Sequence, residues 1–289
     1  MTSPRTDKET GVTTTGHEWD GIEELNKPLP KWWLWTFYAC IVWSIGYWLL
    51  MPAWPLVSGY SKGYLGYSSR ESVDAQLGEA KAAKAQFREK IAASDLQAIV
   101  DDPELLQFAL AGGEAAFGDN CAPCHGRGAQ GFPGYPNLRD DSWLWGDGSL
   151  AAIHQTIMHG IRANDPKTRM NQMPAFGKTG ALTEAQIGEV AEYVLSLSGR
   201  VTDQDAAGRG GKVFAATCVA CHGKDGKGNS EMGAPNLADE LWLYGGDKAT
   251  IVEDLRNGRG GVMPNWGSRL DPETVKELAV YVHSLGGGR

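Results

Sequence analysis

One five-residue pattern, Cys-x-x-Cys-His, occurs twice in this chain. The two copies are Cys121-Ala-Pro-Cys124-His125 and Cys218-Val-Ala-Cys221-His222. Two thiols at this spacing can form thioethers with the two vinyl groups of one porphyrin, and the adjacent His can then bind the iron beneath the ring. The pattern therefore predicts two covalently bound haem c groups, with the four cysteines as attachment points and the two histidines as iron ligands.

Two other kinds of cysteine site compete with this interpretation. A zinc site needs four converging ligands, but the two cysteine pairs lie 97 residues apart and each has its own His. A thioredoxin-like disulfide follows a strand and precedes a helix, whereas both motifs here follow short helical stretches and lead into Gly-rich loops. The haem interpretation is favoured over both.

An internal repeat of roughly 90 residues surrounds the two motifs. Its landmarks occur in the same order in both copies: Gly113–Cys124 with Gly210–Cys221, Pro136-Asn-Leu with Pro235-Asn-Leu, Trp143-Leu-Trp-Gly with Trp242-Leu-Tyr-Gly, Met173-Pro-Ala-Phe-Gly with Met263-Pro-Asn-Trp-Gly, and the closing segments Glu192–Leu197 and Val280–Leu285. Each closing segment has a helical pattern, and a small all-α domain is expected from each copy. The first copy holds nine extra residues in the polar stretch around Arg162 to Gln172, where we expect a surface loop or a contact with a partner.

The Met-Pro pair in each copy supplies a candidate for the sixth iron ligand. Met173 and Met263 lie 48 and 41 residues beyond the His of their copy, in equivalent places of the repeat. A thioether ligand raises the potential of haem iron, and a filled sixth position excludes oxygen and peroxide. Methionines of the core are the alternative. Ligand exchange, in which each Met serves the haem of the other copy, also remains open.

Other sulfur and imidazole groups are weaker candidates. His154, His159 and His283 do not recur in both copies, and the remaining methionines considered are Met158, Met170 and Met232. The Pro136 and Pro235 turns are expected to accept the second ring proton of the two haem-binding histidines.

An uncharged, aromatic-rich run from Trp32 to Leu50 is long enough to cross a bilayer. Tryptophans crowd both of its ends, as at membrane interfaces. A signal peptide is disfavoured because the preceding residues carry more acids than bases and no small-residue cleavage site follows. Because haem is attached outside the bacterial cytoplasmic membrane, we expect a single-pass inner-membrane protein with its N-terminus in the cytoplasm and its haem domains in the periplasm.

The sequence thus predicts an all-α chain with one N-terminal transmembrane helix, a helical linker and two tandem cytochrome c-like domains. The expected boundaries are 1–31 for the cytoplasmic segment, 32–57 for the transmembrane helix, 58–107 for the linker (amphipathic over Glu71–Asp102), 108–200 for the first domain and 201–289 for the second. From Ser58 onward the chain has 23 basic and 29 acidic residues, and this net charge of −6 suits steering of a basic protein donor. No nucleic-acid partner is expected.

The repeat resembles tandem class I cytochrome c domains, and the N-terminal stretch makes the resemblance more specific. His17-Glu-Trp-Asp-Gly-Ile, Asn26-Lys-Pro-Leu-Pro-Lys-Trp-Trp and Met51-Pro-Ala-Trp-Pro are similar to the dihaem subunit III of cbb3-type cytochrome c oxidases. The resemblance implies a subunit without a catalytic site of its own, embedded in membrane lipid. It would pass electrons from a donor cytochrome c towards a monohaem subunit and the catalytic haem-copper subunit, where oxygen is reduced and protons are pumped. It also implies that Met173 serves the haem of Cys121, Cys124 and His125, and that Met263 serves the haem of Cys218, Cys221 and His222.

Two alternative functions share some of these features. A free-standing membrane-anchored dihaem shuttle has the same haem motifs but does not account for the Trp-rich N-terminal stretch. A dihaem peroxidase needs an open sixth position, against which the two equivalent Met-Pro pairs speak.

Overall fold

A computed structural model describes residues 3–287 of the chain, which form two compact units, Met1–Ala82 and Ala83–Arg289. The units are described separately below. Strands are few and short, so the predicted all-α class is confirmed.

The first unit contains one long apolar helix, α1 (Lys31–Leu50). Its 20 residues rise about 30 Å at 1.5 Å per residue, the thickness of a bilayer's hydrocarbon core. None of its side chains is buried within the unit, and its mean hydropathy reaches 1.3. The helix ends before Pro52, which cannot continue it. It is the one helix of the described residues that is long and apolar enough to span a membrane.

Two small hairpins flank α1. Strands β1 (Thr14–Trp19) and β2 (Ile22–Leu25) pair antiparallel before it, and β3 (Pro55–Leu56) and β4 (Gly59–Tyr60) pair after it. The first hairpin was not predicted from the sequence. Its turn is Asp20-Gly21, with both residues at positive φ (53° and 85°), which is the usual chemistry of a two-residue hairpin loop.

The expected linker is divided into two helices, α2 (Ser69–Ala93) and α3 (Leu96–Asp101). The break comes at Asp95, whose carboxylate caps α3 by accepting a 2.8 Å hydrogen bond from the amide of Ala98. From residue 83 onward this segment belongs to the second unit. Its buried Ile91 and Ile99 share a core with residues of the haem-motif region, namely Leu105, Ala109, Leu150 and Val280.

The second unit continues with eight further helices. They are α4 (Pro103–Asn120), α5 (Ala122–His125), α6 (Leu150–His159), α7 (Glu184–Leu197), α8 (Gln204–Thr217), α9 (Val219–His222), α10 (Lys248–Asn257) and α11 (Pro272–Ser284), with a 3-10 turn at Trp266–Ser268 before α11.

The two copies of the repeat exchange their closing helices. Helix α4 of the first copy packs on α11, and α8 of the second copy packs on α7. At each crossing a glycine faces the partner's backbone, Gly113 against Glu277 and Gly210 against Glu189. Aromatic pairs lie beside them, with ring centroids 5.5 Å apart for Phe117 and Tyr281 and 4.9 Å apart for Phe214 and Tyr193. Each packing unit therefore takes helices from both of the contiguous domains expected from the sequence, 108–200 and 201–289.

The short connection between α7 and α8 explains the exchange. Only residues 198–203 join them, and consecutive helices with so short a link lie side by side. The buried carboxylate of Glu192 fixes this corner. It accepts hydrogen bonds from the amides of Thr202 (2.9 Å) and Asp203 (3.1 Å) and an ion pair from Lys248 (2.6 Å). With α7 held against α8, helix α4 has α11 as its packing partner.

We call the resulting halves body A and body B. Body A consists of α4, α5, α6 and α11, and body B consists of α7, α8, α9 and α10. The core of body A includes Phe117, Ile153, Ile157, Val275 and Leu278; that of body B includes Ile187, Val190, Phe214, Ile251 and Leu255.

Candidate haem sites

Each Cys-x-x-Cys-His motif forms a single helical turn. In body A the amide of His125 donates to the carbonyl of Cys121 at 2.9 Å, and in body B that of His222 donates to Cys218 at the same distance. Residues at positions i, i+3 and i+4 of such a turn share one face. The turn therefore presents two thiols and one imidazole to a single ligand.

The chemistry of the buried cysteines differs from that of a redox or metal thiolate. Burial raises the pKa of both Cys121 and Cys218 to about 11, with the neighbouring cysteine of each motif adding to the effect. Redox-active cysteines have lowered pKa values. No disulfide joins the cysteines of the described residues, and residues 3–287 hold no cluster of His, Cys, Asp and Glu suited to a metal ion. The raised pKa values of Cys121 and Cys218 speak against a redox-active dithiol.

Both histidine rings are oriented by a backbone carbonyl, as expected from the proline turns. The distance from His125 Nδ1 to the Pro136 oxygen is 3.0 Å, and that from His222 Nδ1 to the Pro235 oxygen is 3.1 Å. Donation from Nδ1 leaves Nε2 with its lone pair for iron. Burial lowers the pKa of both imidazoles, against a smaller opposite effect of these hydrogen bonds, so the rings are neutral at pH 7.

The two candidate methionines are placed in exchanged positions. Met263 packs on the core of body A, which contains Cys121, and Met173 packs on the core of body B, to which Cys218 belongs. This differs from the pairing implied by the family resemblance, in which each Met lay with the histidine of its own copy. The cause is the exchange of α7 and α11, because each methionine precedes a closing helix and moves with it.

Backbone hydrogen bonds join each methionine to the loop that follows α6 in body A or α10 in body B. Met263 and Ile161, which follows α6, exchange hydrogen bonds of 3.0 and 2.9 Å. Met173 and Arg259, which follows α10, exchange bonds of 2.9 and 3.2 Å. The two arrangements are equivalent, although they join different ends of the chain.

A glycine at the end of α6 and another at the end of α10 permit this close approach. Gly160 and Gly258 have φ values of 68° and 72°, a conformation that side chains disfavour. A Cβ atom on Gly160 would strike the carbonyl of Met263, and one on Gly258 would strike that of Met173. These glycines therefore seat the methionine segments.

A buried indole provides a test of whether the pocket fits haem. The Nε1 of Trp242 in body B is buried and lacks an acceptor in the described residues, although buried N–H groups are almost always bonded. Its counterpart in body A, Trp143, donates to the carbonyl of Gly287 at 2.6 Å. A haem brings two carboxylates, and one of them suits the free donor of Trp242. The residues present thus fit the group.

The weaker candidates occupy other places. His159 pairs with Asp165 at 3.1 Å, and His154 is half-buried on α6. Met158 packs on the core of body A with its sulfur against Gly267 and has no methionine counterpart in body B. Met170 is exposed, and Met232 lies at the surface.

The fold and the sites define a class of protein, a c-type cytochrome with two Cys-x-x-Cys-His turns and an N-terminal helix that fits a membrane anchor. The model of the N-terminal domain of cytochrome oxidase-cbb3, FixP, matches residues 11–58, and that of cytochrome c oxidase, cbb3-type, subunit III, matches residues 108–194 and 205–282. The chain belongs to the family of cbb3-type cytochrome c oxidase subunit III.

Similar proteins agree over nearly the full length of the chain. The FixP subunit of a cbb3-type cytochrome c oxidase from Azorhizobium caulinodans is 57% identical over 280 residues, covering 96% of this chain and 94% of the relative. The CcoP subunit of Azospirillum brasilense is 53% identical over 296 residues and covers 100% of both chains. That of Cereibacter sphaeroides is 51% identical over 276 residues, covering 95% of each. The predicted function, an electron-transfer subunit of a cbb3-type oxidase, is confirmed.

Proposed function

We propose that the chain holds two haem c groups and passes electrons through both of them. One haem is attached to Cys121 and Cys124 and lies between His125 and Met263. The other is attached to Cys218 and Cys221 and lies between His222 and Met173. The observation that carries the proposal is that one methionine packs against the apolar core of each body, together with a haem-attachment cysteine of the other copy's motif: Met263 with Cys121 and Met173 with Cys218.

The chain's own residues orient and enclose the cofactor. The Pro136 and Pro235 carbonyls hold the imidazoles, and the glycines after α6 and α10 hold the methionine segments. Haem bound between imidazole and thioether supplies a one-electron carrier without an open coordination position. The apolar walls keep water away, which favours the less charged ferrous state and a high potential.

Exchanged ligation makes the two haem sites interdependent. Body A needs α11 from the end of the chain, and body B needs α7 from its middle. A haem site is therefore complete only when both copies of the repeat have folded. The two carriers are held in one unit, which suits a relay between a donor and an acceptor at different surfaces.

The position of the chain in the complex follows from its anchor and from its family. Helix α1 spans the inner membrane with the N-terminus in the cytoplasm, and the haem sites face the periplasm, where haem attachment occurs. A donor cytochrome c delivers electrons to this unit, which passes them towards a monohaem subunit and the catalytic haem-copper subunit. The membrane-spanning character of α1 and the similarity to named oxidase subunits support this arrangement.

The experiment is purification of the complex from membranes through a tag on this chain. We expect the denatured polypeptide to exceed its 31.2 kDa by the mass of two haems, and b-type haem of the catalytic subunit to accompany it. One covalent haem per chain would contradict the proposal. A chain that purifies alone with two haems would instead identify a free-standing shuttle, and rapid carbon monoxide binding by both reduced c haems would favour a peroxidase.

A further inference from the structure

Two aromatic side chains in equivalent places of the repeat lie where body A meets body B. Trp145 of body A lies against Gly233 of body B, and Tyr244 of body B lies against Gly134 of body A. The amide of Gly134 also donates to the Leu243 carbonyl at 2.7 Å. Each aromatic ring thus covers the loop that leads to the other body's histidine-orienting proline turn.

The guanidinium group of an arginine lies over each of these two rings. The guanidinium carbon of Arg259 lies 4.5 Å from the centroid of Tyr244, and that of Arg169 lies 5.6 Å from Trp145. Both distances are those of cation–π contacts. The two bodies therefore place a positive charge at matching positions of their boundary.

The two arginines come from different parts of the repeat. Arg259 lies two residues after the end of α10 and pairs its backbone with Met173. The residue at this place in body A is Ile161, which pairs with Met263 in the same way but has no charge. Arg169 lies among the extra residues of the first copy and runs beside Ile161 in a parallel bridge. Arg169 thus places a guanidinium group beside Ile161 in body A, where the equivalent position of body B is itself an arginine, Arg259.

The two guanidinium groups are held differently. Arg259 forms an ion pair with Asp254. Arg169 donates to two neutral oxygens, the hydroxyl of Thr156 at 2.9 Å and the carbonyl of Ala152 at 3.3 Å. Burial lowers the pKa of Arg169, and the field of Asp147 opposes this effect. A partly buried guanidinium with neutral partners is a favourable site for a carboxylate.

We propose that Arg169 and Arg259 bind the propionates of the haems in body A and body B respectively, and that the insertion serves to supply Arg169. This inference rests on the proposed function. Haem propionates are the carboxylates that the cofactor adds, and a guanidinium binds a carboxylate through two parallel hydrogen bonds. Each arginine is joined by backbone hydrogen bonds to the loop that seats a methionine ligand, so its charge lies beside the pocket. Cancelling propionate charge disfavours the ferric state and raises the potential.

The test is a redox titration of the full chain carrying Arg169→Gln, with the two haems distinguished by a spectral label. Cys221→Ser leaves the haem of body B with one thioether, and its remaining vinyl group, conjugated with the porphyrin, moves its absorption to longer wavelength. We expect Arg169→Gln to lower the potential of the unlabelled haem by about 59 mV, a tenfold change in the one-electron equilibrium. Arg259→Gln should lower that of the labelled haem by less, because Asp254 already offsets its charge.

Two further variants separate this role from a structural one. Arg127→Gln removes an exposed charge from body A and should leave both potentials within a twofold change of equilibrium, because water screens it. Arg169→Lys keeps the charge without the planar fork and should restore part of the shift. Equal behaviour of Arg169→Gln and Arg127→Gln, or equal shifts of both haems, would overturn the inference. The proposed function would still stand if both variants retained two haems that do not bind carbon monoxide.

Discussion

Glu277 is expected to make the stability of the second unit depend on pH. Its side chain is 4% exposed at the crossing of α4 and α11, and its Oε1 lacks a partner in the described part of the chain. Burial raises its pKa to about 7; the fields of Arg88 and Lys84 lower it, and those of Glu273 and Asp271 raise it.

The sign and size of the effect follow from the two pKa values. The unfolded carboxyl titrates near 4.5 and the folded one near 7. Below the unfolded pKa both states are protonated and nothing is lost. Between pH 4.5 and pH 7 the unfolded carboxyl is ionised while the folded one still holds its proton, so the free energy of unfolding falls as the pH rises. This loss of stability is complete above pH 7. At 1.36 kcal/mol per unit, ionisation destabilises the fold by about 3 kcal/mol.

Glu277→Gln removes this loss because an amide does not titrate. We expect the variant to be more stable than the parent by about 3 kcal/mol at pH 8 and to match it near pH 4.5. For a unit of this size the difference at pH 8 corresponds to an increase of about 6–12 °C in Tm. The measurement is thermal unfolding of the haem-loaded full chain in detergent, followed by circular dichroism at both pH values.

The chain offers a matched control for this experiment. Glu189 occupies the position of Glu277 in α7, but it pairs with Arg209 at the surface. Glu189→Gln removes a surface ion pair and should not stabilise the unit at pH 8. A lower Tm of Glu277→Gln than of the parent at pH 8 would contradict this prediction. The same dependence of Tm on pH in both variants would contradict it as well.

Three further results are expected, each read from the full haem-loaded chain. Gly258→Ala should displace Met173, so that one of the two reduced haems binds carbon monoxide; an unreactive variant would contradict the seating role of this glycine. Glu192→Ala should cost about 3 kcal/mol in urea unfolding because a buried, hydrogen-bonded carboxylate joins α7 to α8. In the parent chain the folded pKa of Glu192 is about 2, so its contribution to the free energy of unfolding is present above pH 4.5 and is lost as the pH falls towards 2. If Glu192→Ala had the parent's urea midpoint, or lost stability in acid as the parent does, this role of Glu192 would be contradicted. Trp242→Phe should lower the potential of the haem in body B. Trp143→Phe should change the potential of the haem in body A by less, because the Trp143 indole already donates to a backbone carbonyl. Equal shifts in the two variants would argue against a propionate partner for Trp242.

Local signals in the sequence predicted the long apolar helix and the two closing helices well. The Cys-x-x-Cys-His pattern is a property of one helical turn, and the capping residues of α7 act within three positions. Thr183 and Gln186 form a capping box, with the amide of Thr183 donating to the Gln186 side chain at 2.9 Å. The uncharged run of α1 similarly indicates its own length. Such features depend on neighbours in the chain, which a sequence displays directly.

The exchange of closing helices was not predictable from the same signals. Both crossings use a glycine and an aromatic pair, and the two copies carry these residues in equivalent places, so either pairing satisfies the pattern. The choice depends on the length of residues 198–203 and on the carboxylate of Glu192, which act across the boundary between copies. The position of Arg169 was missed for a related reason, since an insertion has no counterpart in the repeat with which to compare it.

A one-thioether label on the haem of body B distinguishes exchanged ligation from ligation within each copy of the repeat. In the full chain carrying Cys221→Ser, the haem of body B absorbs at longer wavelength than that of body A. Met173→Ala and Met263→Ala are each added, and carbon monoxide binding to the reduced protein is recorded. Exchange predicts that Met173→Ala makes the labelled haem reactive and Met263→Ala the unlabelled one. The opposite assignment, with Met263→Ala opening the labelled haem, would show that each methionine serves its own copy of the repeat.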